Sequence, residues 1–158
     1  MPRESKVPSD AERCAEAART CACFHVRMAA RSVTRLFDEA LQPAGLRSTQ
    51  FVLLAAIRAM DEVTLPRLAA AVSLDRSALT RALRPLEASD WVKLTPGPKG
   101  RATTATLTAA GRRVVSKAIP LWEAAQARLV EALSPASWDA LRQDFDGVAA
   151  AADRLLTS

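Results

Sequence analysis

Leu74-Asp75-Arg76-Ser77-Ala78-Leu79-Thr80-Arg81-Ala82-Leu83-Arg84-Pro85-Leu86-Glu87 is the stretch on which the reading of this 158-residue chain turns. Leu79, Leu83 and Leu86 are spaced by four and three, so on a helix they form one apolar stripe. Arg76, Ser77, Thr80, Arg81 and Arg84 fall on the opposite face. Asp75 is a natural N-cap, because its carboxylate can accept the unpaired N–H groups of the first turn. Pro85 lies inside the pattern and removes the bond to the Arg81 carbonyl. An interior proline costs about 3 kcal/mol in a plain helix, so a bend is expected there. Such a helix is held by one face and offers the other, a face of guanidinium and hydroxyl groups.

Upstream, Thr64 can cap a short helix with Pro66 in its first turn and Leu68, Ala69 and Val72 turned inward. Ser73-Leu74 is then a tight connection between two helices. Before it, Asp61 and Glu62 are expected to form a polar turn. A helix from Ser48 or Thr49 through Phe51–Ile57 is apolar nearly all round, which suits the buried centre of a domain. Asp10 to Leu41 is helical in pattern with a break near Thr20. Phe24, Met28, Val33, Leu36 and Leu41 recur at roughly helical spacing, and Arg27, Arg31 and Arg35 form a basic row. Pro43 and Gly45 end it. Residues 1–9 are polar and are expected to be disordered.

Downstream, the period changes after Trp91. Val92 and Leu94 alternate with Trp91, Lys93 and Thr95, as in a strand. Pro96-Gly97-Pro98-Lys99-Gly100 is a loop, and the threonine-rich segment from Ala102 to Leu107 favours a returning strand. The pair makes a hairpin with a basic tip. Thr108 caps a long helix through Leu133, with Pro120 expected to bend it. Ser134-Pro135 restarts a last helix carrying Trp138, Leu141, Phe145, Val148, Leu155 and Leu156.

The totals narrow the function classes. Hydrophobic residues at 49% suffice for a packed core, and a formal charge of +5 suggests an acidic partner. The N-terminal segment has no apolar core of a signal peptide, and the longest apolar run, Phe51–Ile57, is too short to cross a bilayer. Three cysteines crowded at Cys14, Cys21 and Cys23 do not form a secreted disulfide framework, so a cytoplasmic protein with no membrane partner is expected. An enzyme is not expected. There is one histidine, no phosphate-cradling glycine loop and no pair of histidines on a helix face, and no cofactor or metal is implied.

Short helix, tight turn, helix with a basic face, then basic-tipped hairpin is an order with a use. A helix fits the major groove of DNA, where Arg can bond guanine and Ser or Thr can reach bases or phosphates. A hairpin beside it can lay Lys93, Lys99 and Arg101 along the backbone or into the minor groove. The fold class is therefore mainly α with a small β-hairpin, a winged helix-turn-helix in a helical frame. A winged-helix module used only for protein contacts is the alternative, but it needs no basic helix or hairpin. Salt separates the two, since DNA binding weakens steeply as salt is added.

Leu46-Arg47-Ser48-Thr49-Gln50-Phe51-Val52-Leu53-Leu54, Thr64, Leu68-Ala69, Leu74–Arg81, Leu86-Glu87 and Leu107-Thr108-Ala109-Ala110-Gly111-Arg112, in that order, resemble the MarR family of bacterial regulators. With the flanking helices the likeness covers about residues 20 to 156. The resemblance implies a homodimer built by residues 10–45 and 108–158, with the winged helix-turn-helix module at 46–107. It implies a pseudo-palindromic double-stranded DNA operator, usually repressed, from which a small-molecule inducer or an oxidant releases the protein. Ser77, Thr80 and Arg81 would then meet the major groove with Arg76 and Arg84 beside them, Thr64 a phosphate, and Arg101 the minor groove. The family wing usually has an aspartate just before its arginine; here Pro98-Lys99-Gly100 precede Arg101.

Cys23-Phe24, Ala29–Thr34 and Leu36-Phe37 are similar to the first helix of the organic-hydroperoxide-sensing branch, in which the cysteine matching Cys23 is the reactive thiol. The tyrosines that hold that thiol are absent; Phe37 and Ser48 stand at their positions, so the peroxide mechanism does not carry over intact. Arg27 could favour a Cys23 thiolate, with Cys21 or Cys14 as resolving partner. Three thiols without a fourth ligand make a weak metal site, and Cys23 can equally be a small apolar residue at a dimer seam. His25, Arg31 and Arg47 are candidate partners of an anionic ligand.

Overall fold

Each helix of the chain begins or ends at a residue whose chemistry explains the boundary. In the computed structural model, which describes residues 8–98 and 101–157, Ser9 opens α1 (Asp10–Thr20) with a capping box: its hydroxyl accepts the Glu12 N–H at 3.3 Å while Glu12 accepts the Ser9 N–H at 2.7 Å. Cys21 leaves the helical region (φ −66°, ψ 112°) and separates α1 from α2 (Ala22–Leu41). Its N–H still closes on Ala17 O at 2.9 Å, and its carbonyl accepts the His25 N–H at 3.2 Å, so one helix ends and the next starts on a single residue. The expected break near Thr20 is this one.

Contacts divide the chain into two units, residues up to Leu36 and residues from Phe37 onward. The first consists of α1 and the leading turns of α2, and no described residue in it is buried. Its Phe24, Val26, Met28 and Val33 are exposed, 41–46%.

In the second unit, α2 ends in a single 3-10 turn (Gln42–Ala44), and Gly45 takes the left-handed conformation (φ 72°) that the sharp exit needs. The elements that follow are α3 (Ser48–Met60), β1 (Glu62–Thr64), α4 (Leu65–Ala71), α5 (Arg76–Ala88), β2 (Val92–Thr95), β3 (Thr104–Leu107), α6 (Ala109–Leu133) and α7 (Pro135–Thr157). The strands form an antiparallel sheet in the order β1-β3-β2, with Glu62 opposite Thr106 and Val92 opposite Leu107. The hairpin expected from the sequence is present, but a third strand lies beside it. Glu62 is therefore not in a turn; only Asp61 (φ 60°) is. Three residues are too few to show alternation, and Val63, 1% exposed, is what pins the strand to the core.

Leu53, Leu54 and Ile57 of α3 are nearly or wholly buried and pack with Leu68, Leu79, Leu83, Leu86, Val92, Ala105 and Val115. At ~25 cal/mol per Å² of apolar area, burying these aliphatic side chains is what holds the helices and the sheet together. α3 is thus the centre of the unit, although Val52 on its outer side remains 52% exposed. α7 packs along α6, yet it contains no buried residue. Among the described residues no helix is long and apolar enough to cross a membrane.

Candidate nucleic-acid interface

α4 and α5 meet through a tight turn at Ser73, which accepts a positive φ of 51°. Leu74 N–H bonds to Ala69 O at 3.0 Å and draws the chain back against α4. Asp75 then caps α5: Oδ1 accepts the Ala78 N–H at 2.7 Å. From there the apolar stripe read in the sequence dictates the orientation. Leu79, Leu83 and Leu86 are at most 1% exposed, so Arg76, Ser77, Thr80, Arg81 and Arg84 must face outward, and all five are exposed. α5 continues through Pro85 to Ala88 as one helix.

The outer face is organised as well as exposed. Ser77 Oγ donates to Asp75 Oδ1 at 2.7 Å, and Arg81 Nη1 donates to Ser77 Oγ at 3.2 Å. Thr80 Oγ1 donates to the Arg76 carbonyl at 2.8 Å. The Ala78 backbone N–H, then the Ser77 hydroxyl, and to a lesser degree the Arg81 charge hold the Asp75 carboxyl below its ordinary value. Among the described residues none of Arg76, Arg81, Arg84 and Arg101 takes part in an ion pair, and all four are exposed. Asp75 was read from the sequence as a cap alone. Its second role, tethering Ser77, could have been suspected from a hydroxyl two residues after an N-cap aspartate.

The hairpin lies beside this helix in the sheet. β2 carries Lys93 on its exposed side. Gly97 allows the limbs of the wing to close: a Cβ there would lie 2.7 Å from the Ala102 carbonyl oxygen. Arg101 N–H bonds to Pro98 O at 3.1 Å and the Leu65 N–H to Thr103 O at 3.0 Å, tying the wing to the start of α4. Thr64 and Arg101 line one shallow recess of about 460 Å³ between β1 and the wing. Thr64 makes no side-chain capping bond, so its hydroxyl is not engaged at the start of α4, where the sequence had it as a cap. Lys99 lies outside the described residues.

The Thr108 cap expected from the sequence is present, and the same residue belongs to a seam, not legible in the sequence, that fixes the wing to the rest. Thr108 Oγ1 accepts the Gly111 N–H at 3.0 Å and donates to Asp90 O at 2.5 Å, and Arg112 Nη1 bonds to Leu107 O at 2.7 Å. Gly111 is needed there, since a Cβ would sit 2.0 Å from Trp91 O.

The candidate sensing residues belong to other elements of the chain. Cys14, Cys21 and Cys23 are free thiols and all exposed in this chain. His25 Nε2 is 2.8 Å from the Arg19 carbonyl, and Arg31 is exposed. Arg47 is engaged by Asp38 at 3.6 Å. Asp38 also accepts the Ser48 N–H and hydroxyl, both at 2.7 Å, so Ser48, at one of the absent tyrosine positions, is a backbone clamp. Among the described residues no group of three or more His, Cys, Asp or Glu is placed to hold a metal ion.

A helix buried by one stripe, bare cations on its outer face and a hairpin wing alongside define a winged helix-turn-helix module, the class that docks a helix in the DNA major groove. Comparison with known proteins narrows the class. Residues 46–101 match the model of the MarR family. The chain is similar to the Mycobacterium tuberculosis transcriptional regulator MosR crystallised with DNA, at 36% identity and a TM-score of 0.78, covering 85% of this chain and 97% of that one. It is 32% identical over 90 residues to the multiple antibiotic resistance protein MarR of Escherichia coli, a match that covers 56% of this chain and 62% of that protein's length. The oxidised form of the same Escherichia coli protein superposes with a TM-score of 0.63 at 26% identity, covering 80% and 93% of the two chains. The chain belongs to the MarR family of winged-helix transcriptional regulators.

Proposed function

We propose that this chain is a sequence-specific transcriptional repressor of the cytoplasm that binds a pseudo-palindromic DNA operator as a homodimer, rather than an enzyme. The observation that carries the reading is the outer face of α5, where Arg76, Arg81 and Arg84 stand exposed, none of them in an ion pair among the described residues, over a fully buried leucine stripe. Such a face gains most from a polyanion, because each phosphate neutralised releases condensed counterions. Ser77, Thr80 and Arg81 meet the base edges, Arg76 and Arg84 flank them, Thr64 and Lys93 contact phosphates, and Arg101 with Lys99 forms the wing contact. The homodimer draws support from the apolar side chains left uncovered on α7, Phe145 and Val148 among them.

Release follows from a ligand or a thiol modification that favours one spacing of the two recognition helices over another. Exposure of Cys14, Cys21 and Cys23 supports the thiol route, and the oxidised form reported for Escherichia coli MarR is a precedent in that protein. The test is binding to the DNA upstream of its own gene, and to a randomised DNA pool, across a salt series under reducing conditions. Specific binding that weakens steeply with salt is expected. Absence of specific binding on both would overturn the reading in favour of a protein-contact module. Oxidant-driven release that survives Cys23→Ser would remove Cys23 as the sensor.

A further inference from the structure

On the outer face of α5 the hydroxyl protons are already in use inside the protein. Ser77 donates its proton to Asp75 Oδ1 at 2.7 Å, and one lone pair of its oxygen takes the Arg81 Nη1 hydrogen at 3.2 Å. A serine hydroxyl has one donor and two acceptor sites, so what remains is a single lone pair. Asp75 cannot readily let go, because Oδ1 is fixed by the Ala78 N–H at the helix start. Hydrogen bonding to this cap also holds the carboxyl below its ordinary range, so the acceptor stays ionised at neutral pH. Thr80 has the same polarity, its proton given to the Arg76 carbonyl at 2.8 Å. Free serine and threonine can read a base edge as donor or acceptor; these two are biased to accept.

We infer that Ser77 is a specificity-determining acceptor, held in that role by Asp75, that reads the exocyclic amine of an adenine or cytosine in the major groove. The inference rests on the DNA-binding reading above. Adenine N6 and cytosine N4 are the amine donors displayed there, whereas guanine O6 and thymine O4 are acceptors that would face the Ser77 oxygen with no hydrogen between. Arg81 supplies the complementary half. With Nη1 on Ser77, its Nη2–Nε edge is free for the O6 and N7 of a guanine. Ser77 and Arg81 are one helical turn apart, about 6 Å along the axis, so the two bases lie within about two base-pair steps. Asp75 touches no base in this scheme. It is a positioning residue that acts through Ser77.

The test is selection of sites from a randomised duplex pool by the full-length protein, followed by affinities for every single-base-pair variant of the selected half-site. Wild type, Ser77→Ala and Asp75→Ser are compared at one salt concentration. Serine keeps a capping acceptor for the Ala78 N–H while releasing the Ser77 proton. Wild type is expected to prefer adenine or cytosine over guanine or thymine by about fivefold at one position near an Arg81-dependent guanine, the value of one hydrogen bond. Ser77→Ala should flatten that position, and Asp75→Ser should admit guanine and thymine there, with positions other than this one and the Arg81-dependent guanine unchanged and melting curves recording any general loss of fold. A wild-type preference for guanine or thymine at the position that Ser77→Ala alters, an unchanged profile in Ser77→Ala, or an Asp75→Ser profile that weakens evenly at all positions would each overturn the inference. A wild type with no site preference would overturn the DNA-binding reading itself, and the inference with it.

Discussion

α5 and α7 are both amphipathic helices, and the chain treats them in opposite ways. In α5 every leucine of the stripe is buried within the chain's own core, and the polar face carries Arg76, Arg81 and Arg84, none in an ion pair among the described residues. In α7 no residue is buried; Phe145 is 44% exposed and Val148 52%. Its polar face is mixed, with Arg142 beside Asp139 at 4.0 Å and further aspartates at 144, 146 and 153. The same periodicity thus serves two ends. A stripe that the chain covers by itself leaves the opposite face for a partner, a polyanion in the function proposed above. A stripe that the chain leaves open is itself the surface a partner covers, and its modest, mixed charge would not oppose a second copy.

The largest effect separates these two stripes. Leu83→Ala removes a side chain only 1% exposed and should cost about 2–5 kcal/mol in chemical denaturation, at every protein concentration. Phe145→Ala should scarcely change the stability of dilute chains, but should weaken self-association and reduce the rise of melting temperature with concentration. If Phe145→Ala destabilises as much as Leu83→Ala at all concentrations, α7 is a core helix of its own chain and the contrast fails.

The polar faces give the next effect. Arg81→Ala should lower affinity for the selected DNA site by about 1–3 kcal/mol relative to non-specific DNA, with denaturation unchanged. Arg142→Ala, on the polar face of α7, should alter neither by more than about 0.5 kcal/mol, because an exposed pair with Asp139 is worth little. Equal losses of DNA affinity from both would mean that general charge, and not the α5 face, carries binding.

How far the sequence alone reaches follows the same division. The leucine stripe of α5, its Asp75 cap, the break before α2, the Thr108 and Ser134 restarts and the basic outer face were all legible, because each is written in neighbouring residues. β1 was not, since Glu62-Val63-Thr64 is too short for a period and exists only by pairing with Thr104–Leu107 across some forty residues. The tether from Asp75 through Ser77 to Arg81 depends on rotamers, which residue order does not determine. The Thr108–Gly111–Trp91 seam depends on two segments meeting, and Ser48 shows the same limit. In the sequence it stands out only at a tyrosine position of the resembling branch, while its bond to Asp38 appears only when α2 and α3 are placed together.

A smaller effect tests that seam. Thr108→Ala removes the acceptor of the Gly111 N–H and the donor to Asp90 O, and should cost about 1 kcal/mol of stability. Because the wing hangs from this junction while α5 is capped separately by Asp75, DNA binding should lose more of its wing-dependent part than of its Arg81-dependent part. Double-variant cycles of Thr108→Ala with Arg101→Ala and with Arg81→Ala measure this. Coupling to Arg101 and near-additivity with Arg81 is the expected pattern; the reverse would place the seam under the recognition helix.

The smallest effect is one of pH. The Asp38 carboxyl is held below its ordinary value first by the Ser48 N–H, then by the Ser48 hydroxyl, with Arg47 adding a lesser pull. A carboxylate whose folded value is depressed contributes stability that is fully present above its unfolded value, about 3.9, and is lost as pH falls through the folded value. Stability should therefore show no change from this group between pH 5 and 8, and a decline below about pH 4. Asp38→Asn keeps one acceptor oxygen for Ser48 but cannot titrate, so it should be less stable at pH 7 and should close the gap to wild type as the solution is acidified. Asp75 obeys the same sign, but its carboxylate also holds the Ser77 proton, so Asp75→Ser should shift DNA base preference at pH 7 as well, whereas Asp38→Asn should not. Denaturation curves at pH 7 and pH 3 for both variants, with base preference at pH 7, separate a clamp that only holds α2 to α3 from one that also arranges the reading surface. A change of base preference in Asp38→Asn would show that the helix clamp and the reading surface are not independent.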